Sequence, residues 1–251
     1  MFRKALVKKK DYSHKGFHYR GHEVKRIETF SDAVFAFAVT LLIVSLEVPK
    51  TFEELMITMR GFFAFAISFT LLILIWYEQH TFFRRYGLED VKIVVLNSAL
   101  MFVVLFYVYP LKFLFTLLFS GYIYTGTKNP FFISGQDFPL LMSIYGVGYM
   151  IIYSLFFFMY LHVLSKKEYL KLNAVEVFDT RTKLFANLLL ISIGFLSVIT
   201  SLVARPEYAS LSGFVYMLIG PAFSIIHSYR GKRRRVLYPQ NNDHVNSSPA
   251  A

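Results

Sequence analysis

The chain has 251 residues, 55% of them apolar and 18% aromatic, with 28 Phe, 17 Tyr and no Cys. A mean hydropathy of +0.47 excludes an ordinary soluble enzyme, and six membrane spans of ~20 residues fit within this composition. The net charge is +11, but the basic residues sit between apolar runs, which argues for topology signals and against nucleic acid; without Cys there is no disulfide, Cys-ligated zinc or iron–sulfur cluster.

Residues 1–25 form a basic arm with eight Lys and Arg side chains and no signal-peptide core closely behind it. The arm reads as a solvated topology signal, with contact to anionic headgroups as the second reading. Residues 26–229 hold six apolar runs. The first is Phe30–Val48, stopped by Pro49. The second starts amphipathically near Phe52 and continues to about Phe83 as one long, tilted helix. The third runs from about Val94 to Phe119, with Pro110 and Lys112 towards its far end, and the connection over 120–139 reads as a loop or short re-entrant piece. The fourth is Leu140–Leu164, the fifth Leu184–Ala204, and the sixth Leu211–Ile226, which Gly220-Pro221 should kink. The tail over 230–251 starts basic and ends polar and disordered.

Placing the N-terminus inside puts 22 of the 27 Lys and Arg residues on the cytoplasmic side. The prediction is an all-α, polytopic protein of the cell (inner) membrane with six transmembrane helices and both termini cytoplasmic. In the fourth run, Gly146-Val147-Gly148-Tyr149 mimics part of the ordinary potassium-channel filter, but it lies inside an unbroken apolar helix. Its glycines are read as a place where a neighbouring helix comes close.

Polar residues inside the runs are the candidate functional groups. Asp32 and Ser31 stand one turn into the first run, and two readings fit them: an N-cap, or a polar network. Trp76 and His80 are four apart on the second helix and share a face; Asn97 starts the third at the same level. On the first helix, Ala33, Phe37, Thr40, Leu41 and Val44 form one stripe. Such a stripe faces lipid or another helix, or, if copies surround an axis, makes an apolar constriction with a hydroxyl layer beside it.

Arg26-x-x-x-Phe30-Ser31-Asp32, followed by Ala-Val-x-Ala-x-Ala-x-Thr-Leu-Leu and a Pro stop, resembles the transmembrane protein 175 family of potassium channels. The resemblance covers roughly residues 20–230 and implies the prokaryotic single-repeat form, a homotetramer around a central pore lined by the first helix. It further implies that Arg26, Ser31 and Asp32 form a structural network with Trp76, His80 and Asn97. Phe37 aligns with the family's hydrophobic constriction and Thr40 with its hydroxyl layer. The family more often has Ile or Leu where Phe37 stands, so the narrowest ring is Phe37, Leu41 or Val44. Glu47 stands at the outer mouth, either concentrating cations or as an ordinary interfacial acid. Potassium is the implied permeant ion, with no cofactor and no structural metal. A secondary transporter is the rival, but paired broken helices in two halves are not evident. An enzyme built on His80, His162, Asp32 and Glu78 lacks any H-E-x-x-H or G-x-S-x-G motif.

Overall fold

The computed structural model describes residues 13–14, 17–21, 23–44, 48–126, 133, 136–203 and 211–237. The order is β1 (Ser13–His14), β2 (Phe17–His18), α1 (Arg26–Val44), α2 (Phe52–Arg60), α3 (Phe62–Tyr86), α4 (Val91–Leu118), α5 (Ser120–Ile123), α6 (Phe138–Ser165) and α7 (Ala174–Val203), then α8 (Leu211–Phe214), a 3-10 turn (Val215–Leu218) and α9 (Ile219–Leu237). Among the described residues, five spans are long and apolar enough to cross a membrane: Phe52–Tyr86, Val91–Leu118, Phe138–Ser165, Ala174–Val203 and Leu211–Arg234. Large apolar side chains such as Phe62, Phe102, Phe106, Phe195 and Leu202 point outward from these helices. That is the arrangement a lipid solvent requires, since only helices satisfy their own backbone there.

α4 is the central element: it packs on α1, α3 and α6, while α6 and α7 form the most extensive pair. Their closeness comes from glycine. A side chain on Gly194 would place its Cβ 2.7 Å from Met150 Cγ, and one on Gly146 would collide with Val198. Gly148 sits under the Tyr107 ring of α4, whose hydroxyl donates to the Tyr145 carbonyl at 2.8 Å and so holds the ring in place. The glycines therefore serve helix approach, as their position in the fourth run suggests.

Several boundaries differ from the sequence expectation, each for a physical reason. α7 begins at Ala174, ten residues before the apolar run. Its first turns are polar yet packed: Glu176 takes Arg20 at 2.8 Å, Thr180 meets the Tyr86 hydroxyl at 2.8 Å, and Asp179 takes Arg234 at 2.9 Å. The second run is described as α2 and α3 on either side of Gly61, but Gly61 keeps helical angles and both flanking hydrogen bonds, so Phe52–Tyr86 continues as one 35-residue span, as expected. In the sixth run the irregularity is the 3-10 turn over Val215–Leu218, directly before Gly220-Pro221; Pro221 lacks the N–H that would reach back to the Met217 carbonyl in that turn. α9 then continues to Leu237 and carries the basic cluster on a helix. Within the connection over 120–139, α5 is a single helical turn. The part of the tail expected to be disordered lies, beyond 237, outside the described residues.

The all-α expectation also misses a minimal antiparallel hairpin, β1 with β2. It forms because the bundle end offers it partners. Phe17 is buried edge-on to Tyr86 at 5.8 Å with the Arg85 guanidinium 5.0 Å over its ring. The His18 amide donates to Glu176 at 2.8 Å, and Arg20 grips both Glu176 oxygens. Gly21 then crosses α3 so closely that a Cβ would lie 2.7 Å from the Phe83 carbonyl oxygen. Part of the basic arm is thus a strap across the ends of α3 and α7.

At the same end, Asp90 precedes α4 and takes His162 and Lys166 of the α6 terminus. Burial pushes its carboxyl up, but the hydrogen bonds from His162 and Lys166 outweigh that and hold it below the ordinary value of 3.8. A depressed carboxyl stabilises the fold above its ordinary value and loses that contribution as pH falls through the lowered one. In thermal melts between pH 6 and pH 3, the protein is expected to lose more stability than Asp90→Asn, which has no charge to lose. Gly148→Ala is expected to cost about 1–3 kcal/mol by overpacking against Tyr107, read as a lower melting temperature in detergent.

Candidate functional site

α1 has two distinct faces. Ser31, Phe35, Ala38 and Leu42, at spacings of four, three and four, are buried against α3 and α4. Phe30, Ala33, Phe37 and Thr40 occupy the opposite face and are exposed, Phe37 by 56%. Leu41 is half-buried and packs against the core, so it lies between the two faces. The Val44 side chain and Glu47 lie outside the described residues. The Thr40 hydroxyl donates to the Ala36 carbonyl at 2.9 Å. This spends its one hydrogen inside the helix and leaves the oxygen lone pairs as acceptors on the exposed face.

The expected polar network divides in two. In the first part, the Asn97 amide of α4 bridges three helices. Its nitrogen donates to Ser31 Oγ at 2.8 Å, and its oxygen accepts from Gln79 Nε2 at 3.2 Å. Ser31 in turn donates to the Ile27 carbonyl at 2.8 Å. All three side chains are buried, and the cluster is a closed relay from α3 through α4 to α1. Leaving any member unpaired in an apolar bundle costs the full desolvation penalty.

In the second part, the Trp76 indole N–H donates to Asp32 Oδ1 at 2.7 Å, and the indole stacks on His80 at 5.3 Å with 21° between the planes. Asp32 therefore stands exposed on α1 but tethered to α3. The N-cap reading of Ser31 and Asp32 is overturned: α1 starts at Arg26, so both lie in its second turn. The helix start is handled by Glu28, whose carboxylate accepts from the Lys25 N–H at 3.4 Å. Arg26 is exposed at that start and makes no side-chain hydrogen bond or ion pair among the described residues.

Sequence reasoning missed Gln79 and Glu28. Gln79 falls on the buried face with Leu72, Phe83 and Tyr86, and a polar residue on an otherwise apolar face was the available signal. It also left Glu78 unassigned to a partner. Glu78 accepts from Lys183 at 2.6 and 2.9 Å and from Tyr160 at 2.6 Å, which ties α3 to α6 and α7. Among the described residues, no group of three or more His, Asp or Glu side chains is placed to hold a metal ion.

A family model described as the endosomal/lysosomal potassium channel TMEM175 matches residues 26–107, the stretch that contains both parts of the network. A Marivirga tractuosa protein named as a potassium channel is 42% identical over 230 residues, covering 88% of this chain and 93% of its own. The chain belongs to the TMEM175 family. The crystal structure of the potassium channel MtTMEM175, a variant with one threonine replaced by alanine in complex with a nanobody–MBP fusion, matches this TMEM175 chain at TM-score 0.77. Their identity is 41%, over 88% of this chain and 99% of that one. A potassium channel of Chamaesiphon minutus is 31% identical over 96 residues, 35% of this chain and 47% of that one. The TMEM175 chain is a multi-pass membrane protein, and its channel relatives point away from an enzyme.

Asn97→Ala is expected to orphan both Ser31 Oγ and Gln79 Nε2 and so to cost about 1–3 kcal/mol. A melting temperature equal to the parent's would show that the relay does not hold α1.

Proposed function

We propose that the chain is a potassium-permeable, moderately selective cation channel, a homotetramer whose central pore is lined by α1. The observation that carries this reading is the two-faced α1, with Phe37 and Thr40 exposed opposite a buried face fixed by Ser31 and Asn97. An exposed apolar stripe carrying a hydroxyl, on a helix bolted to the bundle through a polar relay, suits an axis built from four copies. Membership of the TMEM175 family supports it independently. With α1 as the sixth span, its 19 residues reach about 28 Å, close to the hydrocarbon thickness.

The mechanism follows from the side chains. A ring of Phe37, with Leu41 and Val44 as the neighbouring turns, excludes ions by dewetting, since a cation there loses water and gains nothing. A small widening admits water and ions together. Thr40 oxygens, already donating to Ala36, then present only lone pairs to a partly dehydrated cation. Four such ligands favour potassium, whose shell is shed more easily, and give less discrimination than stacked carbonyl rings. Glu47 concentrates cations at the outer mouth. Flux is passive, and no cofactor takes part. Asp32, Trp76, His80 and Arg26 support assembly rather than touch the ion.

Both termini are cytoplasmic in this reading, in a cell (inner) membrane. The strap, the Lys166–Asp90 pair and the Arg234–Asp179 pair gather at one end of the bundle, in line with the placement of 22 of the 27 basic residues.

Liposomes holding the purified chain are expected to pass potassium faster than sodium and to exclude N-methylglucamine; uphill accumulation driven by a second gradient would instead make it a secondary transporter. Thr40→Ala is expected to lower the potassium-to-sodium permeability ratio, and an unchanged ratio would move the filter elsewhere. Asp32→Ala is expected to shift the tetramer towards smaller species on a sizing column. A stable tetramer with altered selectivity would instead assign Asp32 to the ion path.

A further inference from the structure

Two apolar troughs run side by side along α7 near the basic end of the bundle. One, of about 430 Å³, lies between α7 and α9 and is headed by Arg230 and Arg233. The other, of about 410 Å³, lies against α6 and α7 and is headed by Arg181. Phe185 and Leu188 form the wall between them and line both. The troughs share that wall, and their arginines, which act on one another as like charges, make one basic head.

The head carries more positive charge than the described residues neutralise. Asp179 is the nearby acid, and its Oδ1 already accepts from Arg234 at 2.9 Å. Arg181 and Arg233 act on Arg230 as like charges. The Arg230 guanidinium carbon stands 4.9 Å from the Phe178 ring centre and 4.7 Å from that of Phe185, cation–π contacts that hold it at the mouth of the α7–α9 trough. Its Nε is buried and has no hydrogen-bond partner among the described residues. Three like-charged arginines at one mouth, none with an ion pair among the described residues, suit an anion with several oxygens. The grooves that continue from them call for that anion to carry two apolar chains.

We propose that this is a binding site for one anionic phospholipid, with its phosphate on Arg181, Arg230 and Arg233 and one acyl chain in each trough. A basic pocket between membrane helices is where acidic headgroups are held. A free phosphate offers nothing to the grooves, and a zwitterionic lipid brings apolar chains but no net charge to balance the head. The bound lipid staples α9, which packs mainly on α7, to the α6–α7 pair. Its assignment to the cytoplasmic leaflet rests on the orientation proposed above; the site itself does not.

The test uses the full-length chain purified in neutral detergent and stripped of lipid. Native mass spectrometry and thermal melts are run with short-chain phosphatidylglycerol, phosphatidylcholine of equal chain length, and inorganic phosphate. Phosphatidylglycerol is expected to bind at one per chain and to raise the melting temperature, with the other two inactive. Arg230→Gln with Arg233→Gln is expected to weaken it about thirtyfold, the loss of two basic side chains at the headgroup plane. Lys232→Gln, which removes one charge from the same helix outside the trough lining, keeps the affinity. Leu188→Trp, which fills the shared wall and leaves the arginines in place, is expected to abolish one-to-one binding, and it serves if the double variant does not fold. Equal binding of both lipids, stabilisation by inorganic phosphate alone, or full binding by Leu188→Trp would each overturn the proposal. Ion flux is not a readout, so these outcomes leave the channel reading untouched.

Discussion

The side-chain amide of Asn97 sits where α1, α3 and α4 meet, and it is used at both ends: its nitrogen on Ser31, its oxygen on Gln79. In a bundle surrounded by hydrocarbon, no water is available to replace either bond, so the relay holds only when the three helices have one rotation and one height. That rotation decides what α1 shows to the outside. With Ser31 turned inward, Phe35, Ala38 and Leu42 follow it, and Phe37 and Thr40 are left on the other face. The exposed stripe on which the proposed pore depends is thus a consequence of a polar contact two turns away.

α3 carries the complementary burden. Within four residues it sends Trp76 to Asp32 of α1, Glu78 to Lys183 and Tyr160, and Gln79 to Asn97. Successive positions on a helix point in different directions, so a short polar segment can address several neighbours at once. The Glu78–Lys183 pair is costly to desolvate and contributes little net stability by itself. Its effect is geometric, since it sets the height of α7 against α3. Below it, Thr180 meets Tyr86 and Glu176 receives the arm through His18 and Arg20. The arm runs directly into the first turn of α1, so the strap and the Asn97 relay restrain the same helix.

Reading the candidate site from sequence succeeded where a helical spacing made the contact unavoidable. Trp76 and His80 are four apart on one helix, and they stack. The family resemblance brought Ser31 to Asn97 and Asp32 to Trp76 across helices, but partners that neither spacing nor the resemblance named were missed. Nothing in the local sequence joins Gln79 to Asn97, or Glu176 to an arginine more than 150 residues earlier. Apolarity misled in one direction: it started α7 ten residues late, because polar residues there are packed against partners rather than solvated. It also made Ser31 and Asp32 look like a helix start, when the helix begins five residues before Ser31.

By itself the sequence determined that this is a multi-span membrane protein with a TMEM175 signature on its first helix. Length, hydropathy and local motifs depend on neighbours along the chain and on the solvent, and these are the same whatever the fold. Only the tertiary structure decided which polar side chains meet, which face of α1 stays uncovered, and that part of the basic arm is folded against the bundle. Those outcomes depend on contacts between segments far apart in sequence, and they are set by the need to pair every polar group that the packed helices remove from water.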